Sequence, residues 1–393
     1  LRPPCQTSIT KKQWAAGGQR WLAFRSAFAL AFAIGVAGCD GAKETTTASS
    51  VCSAASWTPI ADLGVHAAGP GNLLLAGDTF YYRSNDTIMS VPAAGGSPTA
   101  VSDATVYSMW LDGQAIDFVF DSDKLQQVPL SGGAPTLLAD GMTIGVAPDY
   151  AVAGAFAFDG QYLYWDLHPP AGSATYWSAW RMSAAGGAAE QLANLPPPSA
   201  GDSNLHTLTP TPGGLLVSVE HNASVAAYLV PPSGGSPATL PVPPADDPYA
   251  AAASHNSLMG AGPNGVVWLT NAATSTVSLT DLSDPTTPVW RPLWTALPST
   301  LIVSHLSAYP GGDDGSWIIG GFEHFDDGQQ HVSIWSVDAA GNGVRLGCDP
   351  TADTYYSGVL SAVLPTATAV FAIAAAGNSA SGSYDFTLVR LAR

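Results

Sequence analysis

The sequence predicts an all-β fold, a seven-bladed β-propeller whose last blade is completed by the N-terminal strand. Three observations predict it. A strand–Gly-Gly–strand phrase recurs along the chain, its final copy stops half finished at residue 393, and a matching half stands alone at residues 57–63. The composition agrees. Of 393 residues, 41 are Gly and 31 are Pro, which suits turns between short strands and not helix interiors.

The clear copies read "TIMSVPAAGGSPTAVSDA" (87–104), "KLQQVPLSGGAPTLLADG" (124–141), "SAWRMSAAGGAAEQLANL" (178–195) and "VAAYLVPPSGGSPATLPV" (225–242). Two worn copies follow, "TVSLTDLSDPTTPVWRPL" (276–293) and "VSIWSVDAAGNGVRLGCD" (332–349). Their spacing runs from the high thirties to the mid fifties, which brackets the roughly 40–50 residues of a four-stranded blade. Within each copy the Gly pair supplies the positive φ of a tight hairpin. Between copies come two more strands, for example "YSMWLDG" and "AIDFVF". Counting third strands gives seven blades, and the worn copies leave six or eight open.

The last copy, "SYDFTLVRLAR" (383–393), supplies a third strand and ends. The segment "WTPIADL" (57–63) reads as a fourth strand with no blade before it. Pairing the two closes the ring and removes two exposed edges.

The repeat resembles the VP-x-x-GG-x-P units of secreted bacterial propellers of the Tol-associated and YWTD-like kind. The resemblance covers most of residues 57–393 and concerns the fold. Such propellers range from adaptors to lyases, so it implies no single chemistry.

Residues 1–38 read as a lipoprotein signal peptide. Lys11, Lys12, Arg20 and Arg25 precede the apolar run Ala27–Ala37, too short to span a bilayer and of the right length for a signal core. The run ends in Val36-Ala37-Gly38-Cys39, which resembles a bacterial lipobox with Cys39 as the lipidated residue. Residues 39–56 then form a flexible tether and 57–393 the propeller. Cys52 and Cys348 are the cysteines left over, and an oxidising envelope compartment predicts a disulfide between them. Beyond residue 38 the chain carries 8 Lys and Arg against 30 Asp and Glu, a formal charge of −22. That surface repels nucleic acid and anionic headgroups, so the lipid alone would hold it to a membrane, the outer membrane or cell surface being expected.

On a propeller, fourth-to-first connections and second-to-third loops share one rim, here the top. His206, His255 and His305 each enter a first strand, of blades four, five and six, and His66 enters blade one. His168, His221, His324 and His331 fall in or beside second-to-third loops. The expectation is a His-rich top face with His206, His255, His305, His66 and His324 as candidate ligand or metal residues, a divalent metal being the candidate cofactor. The plainer account is that His favours loops. In "EHFDDGQQH" (323–331), Glu323, Asp326 and Asp327 add carboxylates to this rim, expected as a solvated acidic loop without the spacing of a calcium loop.

Several enzyme classes are weakened. No Arg falls on a predicted first strand, as a sialidase-type carboxylate grip would need. "DDGSW" (313–317) is no proper Asp-box, no Trp-docking motif repeats, and neither G-x-S-x-G nor His-Glu-x-x-His occurs. "YLYW" (162–165) and "YWSAW" (176–180) are expected in blade core. The sequence therefore favours a monomeric binding or scaffolding module over an enzyme, with an envelope protein or carbohydrate as partner. The alternative is a metal-assisted lyase or hydrolase at the channel mouth.

Overall fold

Each Gly-Gly phrase folds as a hairpin because its backbone demands it. In blade one the Pro92 carbonyl accepts a hydrogen bond from the Gly95 amide at 2.9 Å, with Gly95 at φ 93° and Gly96 at φ 138°. Side chains avoid both conformations. The same turn closes Pro129 to Gly132 at 2.8 Å, Ser183 to Gly186 at 2.9 Å and Pro231 to Gly234 at 2.9 Å. The computed structural model describes residues 52, 57–66, 71–85, 87–120, 124–139, 151–168, 177–195, 206–221, 224–241, 257–270, 276–294, 297–312, 315–325, 328, 330–349, 360–378 and 383–393.

Among these the elements are all strands, in seven antiparallel four-stranded sheets. After β1 (Thr58–His66), blade one holds β2 (Gly71–Ala76), β3 (Thr79–Ser84), β4 (Thr87–Pro92) and β5 (Thr99–Ser102). Blade two holds β6 (Val106–Asp112), β7 (Ala115–Phe120), β8 (Lys124–Pro129) and β9 (Thr136–Ala139). Blade three holds β10 (Ala151–Phe158), β11 (Tyr162–His168), β12 (Trp177–Ser183) and β13 (Glu190–Leu195). Blade four holds β14 (His206–Thr211), β15 (Gly214–His221), β16 (Ser224–Val230) and the short β17 (Ala238–Thr239). Blade five holds β18 (Ser257–Gly262), β19 (Gly265–Thr270), β20 (Thr276–Asp281) and β21 (Val289–Trp294). Blade six holds β22 (Leu301–Pro310), β23 (Trp317–His324), β24 (Gln330–Val337) and β25 (Gly343–Cys348). Blade seven holds β26 (Leu360–Pro365), β27 (Ala369–Asn378) and β28 (Ser383–Ala392), and its fourth strand is β1.

The closure expected from the sequence is observed. β1 runs antiparallel to β28 from Thr58 opposite Arg390 to His66 opposite Tyr384. The expected disulfide also forms: Cys52 is bonded to Cys348, with Cα atoms 5.8 Å apart. Buried apolar side chains gather in seven clusters, one at each seam between blades. The seam between blades seven and one packs Ala61 and Leu63 of β1 with Leu73, Phe80 and Phe386. Because a blade buries both faces, each seam stabilises the next, and burial at roughly 25 cal/mol per Å² of apolar area is the main force holding the ring.

The Gly pairs also shape the seams. A Cβ on Gly95 would stand 2.7 Å from the Ile60 carbonyl oxygen in β1, and one on Gly234 would stand 2.8 Å from that of Leu192 in β13. The hairpin of each of these blades thus rests on the fourth strand of the blade before it. In blade four the contact is a hydrogen bond, Gly235 donating to Leu192 at 2.7 Å. The worn copies manage the turn by other means. The Asp284 carboxylate accepts from the Thr286 amide at 2.9 Å and from both threonine hydroxyls. Asp338 accepts from the Ala340 and Asn342 amides at 2.9 and 2.8 Å. These bonds hold both carboxyls below their ordinary pKa.

Candidate functional site

Strand direction puts the ends of first-strand entries and second strands on the top rim, and six of the eight histidines stand at or next to such ends. His66 is the last residue of β1, His206 the first of β14 opposite Val219, and His324 the last of β23 opposite Gln330. His168 and His221 end β11 and β15, and His331 lies at the start of β24. His305 stands further inside its strand. It is the fifth residue of β22, in the stretch between Ile302 and Ser307 where the ladder to β23 is interrupted, so it sits within the strand. His255, Asp326, Asp327 and Cys39 lie outside the described residues, as do the side chains of His66, His206 and His305. His324 is exposed.

The most completely described side chains near the top rim are in blade six, and there Glu323 corrects the sequence reading. It does not belong to a solvated loop. It lies in β23 with 2% of its surface exposed, because the second strand of a blade is covered on both faces. Both of its oxygens are engaged. The Thr300 hydroxyl donates to Oε1 at 2.8 Å, the Ser333 hydroxyl to Oε2 at 2.8 Å, and the Arg345 guanidinium approaches Oε2 at 3.3 Å. A buried carboxylate holds its charge only with such partners. Arg345, on β25, reaches across β24 to make this pair and stacks over Phe325 and Trp335, at 5.2 and 5.9 Å from the ring centres.

Next to it His331 is buried, and its Nδ1 donates to the Asp349 carbonyl at 2.6 Å. That bond places the proton on Nδ1. The Phe325 ring meets the imidazole edge-on at 4.9 Å between centroids. Arg345, Glu323, Ser333 and His331 therefore form an internal polar brace beside the Cys52–Cys348 bond. They do not present free groups to a substrate. Among the described residues, no three His, Cys, Asp or Glu side chains come together as metal ligands. Both Glu323 oxygens accept hydrogen bonds from within blade six.

A second buried acid lies in blade two. Asp117 of β7 is 1% exposed, accepts from the Gln127 amide at 2.8 Å through Oδ1, and leaves Oδ2 without a hydrogen bond. Burial pushes its pKa up; the Gln127 bond offsets part of this and the charge of Asp112 adds to it. Of the described aromatic side chains, Tyr164 and Trp165 are buried core, while Tyr162 is half-buried beneath the Arg181 guanidinium. Sequence reasoning missed Glu323 as a buried group and missed Asp117 altogether. The available signal was a single acid inside an apolar strand, "WIIGGFEH" and "AIDFVF".

The chain matches no protein-family model and no curated protein sequence. Its fold is similar to solved propellers. An oligogalacturonate lyase from Vibrio parahaemolyticus superposes with a TM-score of 0.55 at 10% identity, over 84% of this chain and 96% of that one. An oligogalacturonate lyase in complex with manganese gives 0.54 at 12% identity, over 80% and 86%. YCF48 bound to D1 peptide gives 0.50 at 10% identity, over 86% and 94%. At these identities the likeness is one of architecture: the chain is a seven-bladed β-propeller.

Proposed function

We propose that this protein is a lipid-anchored propeller of the bacterial cell envelope that binds an envelope protein or a carbohydrate through its top face, as a monomer. The observation that carries the reading is the gathering of histidine-bearing strand ends on one rim, with His66, His206 and His324 at the limits of their strands. Imidazoles offer both a donor and an acceptor near neutral pH. The signal-like segment before Cys39 and the charge of −22 beyond it support an anchor made by lipid and not by the protein surface. The engaged carboxylate of Glu323 and the burial of His331 fit a structural role for these two groups.

The alternative is a metal-assisted lyase or hydrolase at the channel mouth. A manganese-bound lyase among the similar folds favours it over other enzyme classes. His206, His255 and His305 would hold a divalent ion, which would polarise a substrate oxygen there. The test is His206→Ala/His255→Ala/His305→Ala. On the binding reading the purified protein carries no stoichiometric transition metal, and the variant stays folded but loses binding to an envelope fraction or a glycan array. Tight metal lost in the variant, together with lyase or hydrolase turnover in the parent, would reverse the choice.

A further inference from the structure

The N-terminal arm is joined to the ring twice, by bonds of different kinds. Cys52 is bonded to Cys348, the last residue of β25 in blade six. Six residues further on, Thr58 begins β1, which closes blade seven by pairing with β28. Thr58 lies opposite Arg390. The leading end of β1 and the trailing end of β28 are therefore neighbours. A pull between the arm and the C-terminus would open this ladder from that end, one pair after another, so that each pair of hydrogen bonds meets the full force alone. β1 is also an outer strand with a single sheet partner, and edge strands are the first to leave.

We propose that the Cys52–Cys348 bond is a force bypass: tension in the N-terminal arm enters blade six through β25 and does not reach the strand that closes the ring. The entry point is built for this. Cys348 is 2% exposed. β25 is laddered to β24 from Cys348 opposite Ser333 to Gly343 opposite Val337. It is tied a second time, across β24, by the Arg345–Glu323 pair at 3.3 Å. Trp57, between the disulfide and β1, is buried among Ile318, Phe322 and Val332 of blade six and Val389 and Leu391 of blade seven. Reducing the bond moves the load to Thr58 and its partner. The biological use of the bypass rests on the reading that residues 39–56 tether the propeller to a membrane; its mechanics do not.

The test is single-molecule pulling with handles at residue 40 and residue 393, comparing the oxidised protein with Cys52→Ser/Cys348→Ser. The serine variant is expected to show an early, low-force step that frees about 14 residues, roughly 50 Å of contour length, before any larger event. The oxidised protein is expected to lack that step. If the variant does not fold, the oxidised protein reduced in place by a phosphine serves the same comparison. The early step in both forms, in neither, or only in the oxidised form would overturn the proposal. Because no lipid is needed, this result is independent of the anchor, which mass spectrometry of Cys39 tests separately.

Discussion

Gly95 of blade one faces the main-chain oxygen of Ile60 across the seam where the ring closes, at a distance that leaves no room for a side chain. The contact joins the first Gly-Gly hairpin to the N-terminal strand. It explains why "WTPIADL" resembles "PTAVSDA" and "PTLLADG": the second residue after Thr in each, Ile60, Val101 and Leu138, turns its carbonyl toward the next hairpin's first glycine. The expected consequence is positional. Gly95→Ala meets both an unfavourable φ of 93° and the Ile60 oxygen, whereas Gly133→Ala meets only its φ of 128°. Gly95→Ala should cost about 2–3 kcal/mol and Gly133→Ala about 1 kcal/mol. Urea unfolding of the two variants checks the order; equal losses would show that the seam contact contributes nothing.

The fold was legible because its turns are chemically periodic. Gly-Gly fixes where each hairpin bends, and the closing strand carries the same phrase as its counterparts. The Cys pair was legible by elimination. Blades five and six were harder to read because Asp284 and Asp338 shape their turns with carboxylate hydrogen bonds instead of paired glycines. The brace around Glu323 was not legible. Its partners Thr300, Ser333 and Arg345 lie 23, 10 and 22 residues away, and β23 is buried along nearly its whole length, so no alternation marked the acid as interior. β22 begins four residues before His305, so the strand limit alone did not mark its place.

The brace predicts a coupled pair. Arg345→Met leaves the Glu323 carboxylate buried with only two hydroxyl donors, and should cost about 3 kcal/mol. Glu323→Gln keeps the shape and removes the charge, at a smaller loss. The double variant should then lose clearly less than the two single losses added, by about 1–2 kcal/mol, since neither partner is left charged and alone. A double-mutant cycle in urea measures this. Strict additivity would mean that Arg345 contributes by stacking on Phe325 and Trp335 alone.

The disulfide spans a sequence separation of 296 residues, so it restricts the unfolded chain strongly. Cys52→Ser should lower stability by about 2–4 kcal/mol. The loss should match that of Cys348→Ser, because either change removes the same bond. Thermal unfolding under non-reducing conditions compares them. A much larger loss for Cys348→Ser would point to packing at its buried site as the greater effect.

Asp117 predicts a pH dependence with a definite sign. Its folded pKa is raised, chiefly by burial, above the ordinary carboxylate value. Below the unfolded pKa, near 4, the acid is neutral in both states and costs the fold no charge. As pH climbs through the folded pKa, the unfolded chain has already released its proton while the native state resists doing so, and stability falls. Asp117→Asn keeps an oxygen for the Gln127 amide and has no proton to lose. The variant's melting temperature relative to the parent should therefore rise between about pH 4 and neutrality, crossing from near equality to an advantage. Melting curves of both proteins across that range give the difference directly. A flat difference would mean that Asp117 is charged in the fold at no cost, and so that its Oδ2, without a hydrogen bond here, is met by solvent at the seam between blades two and three.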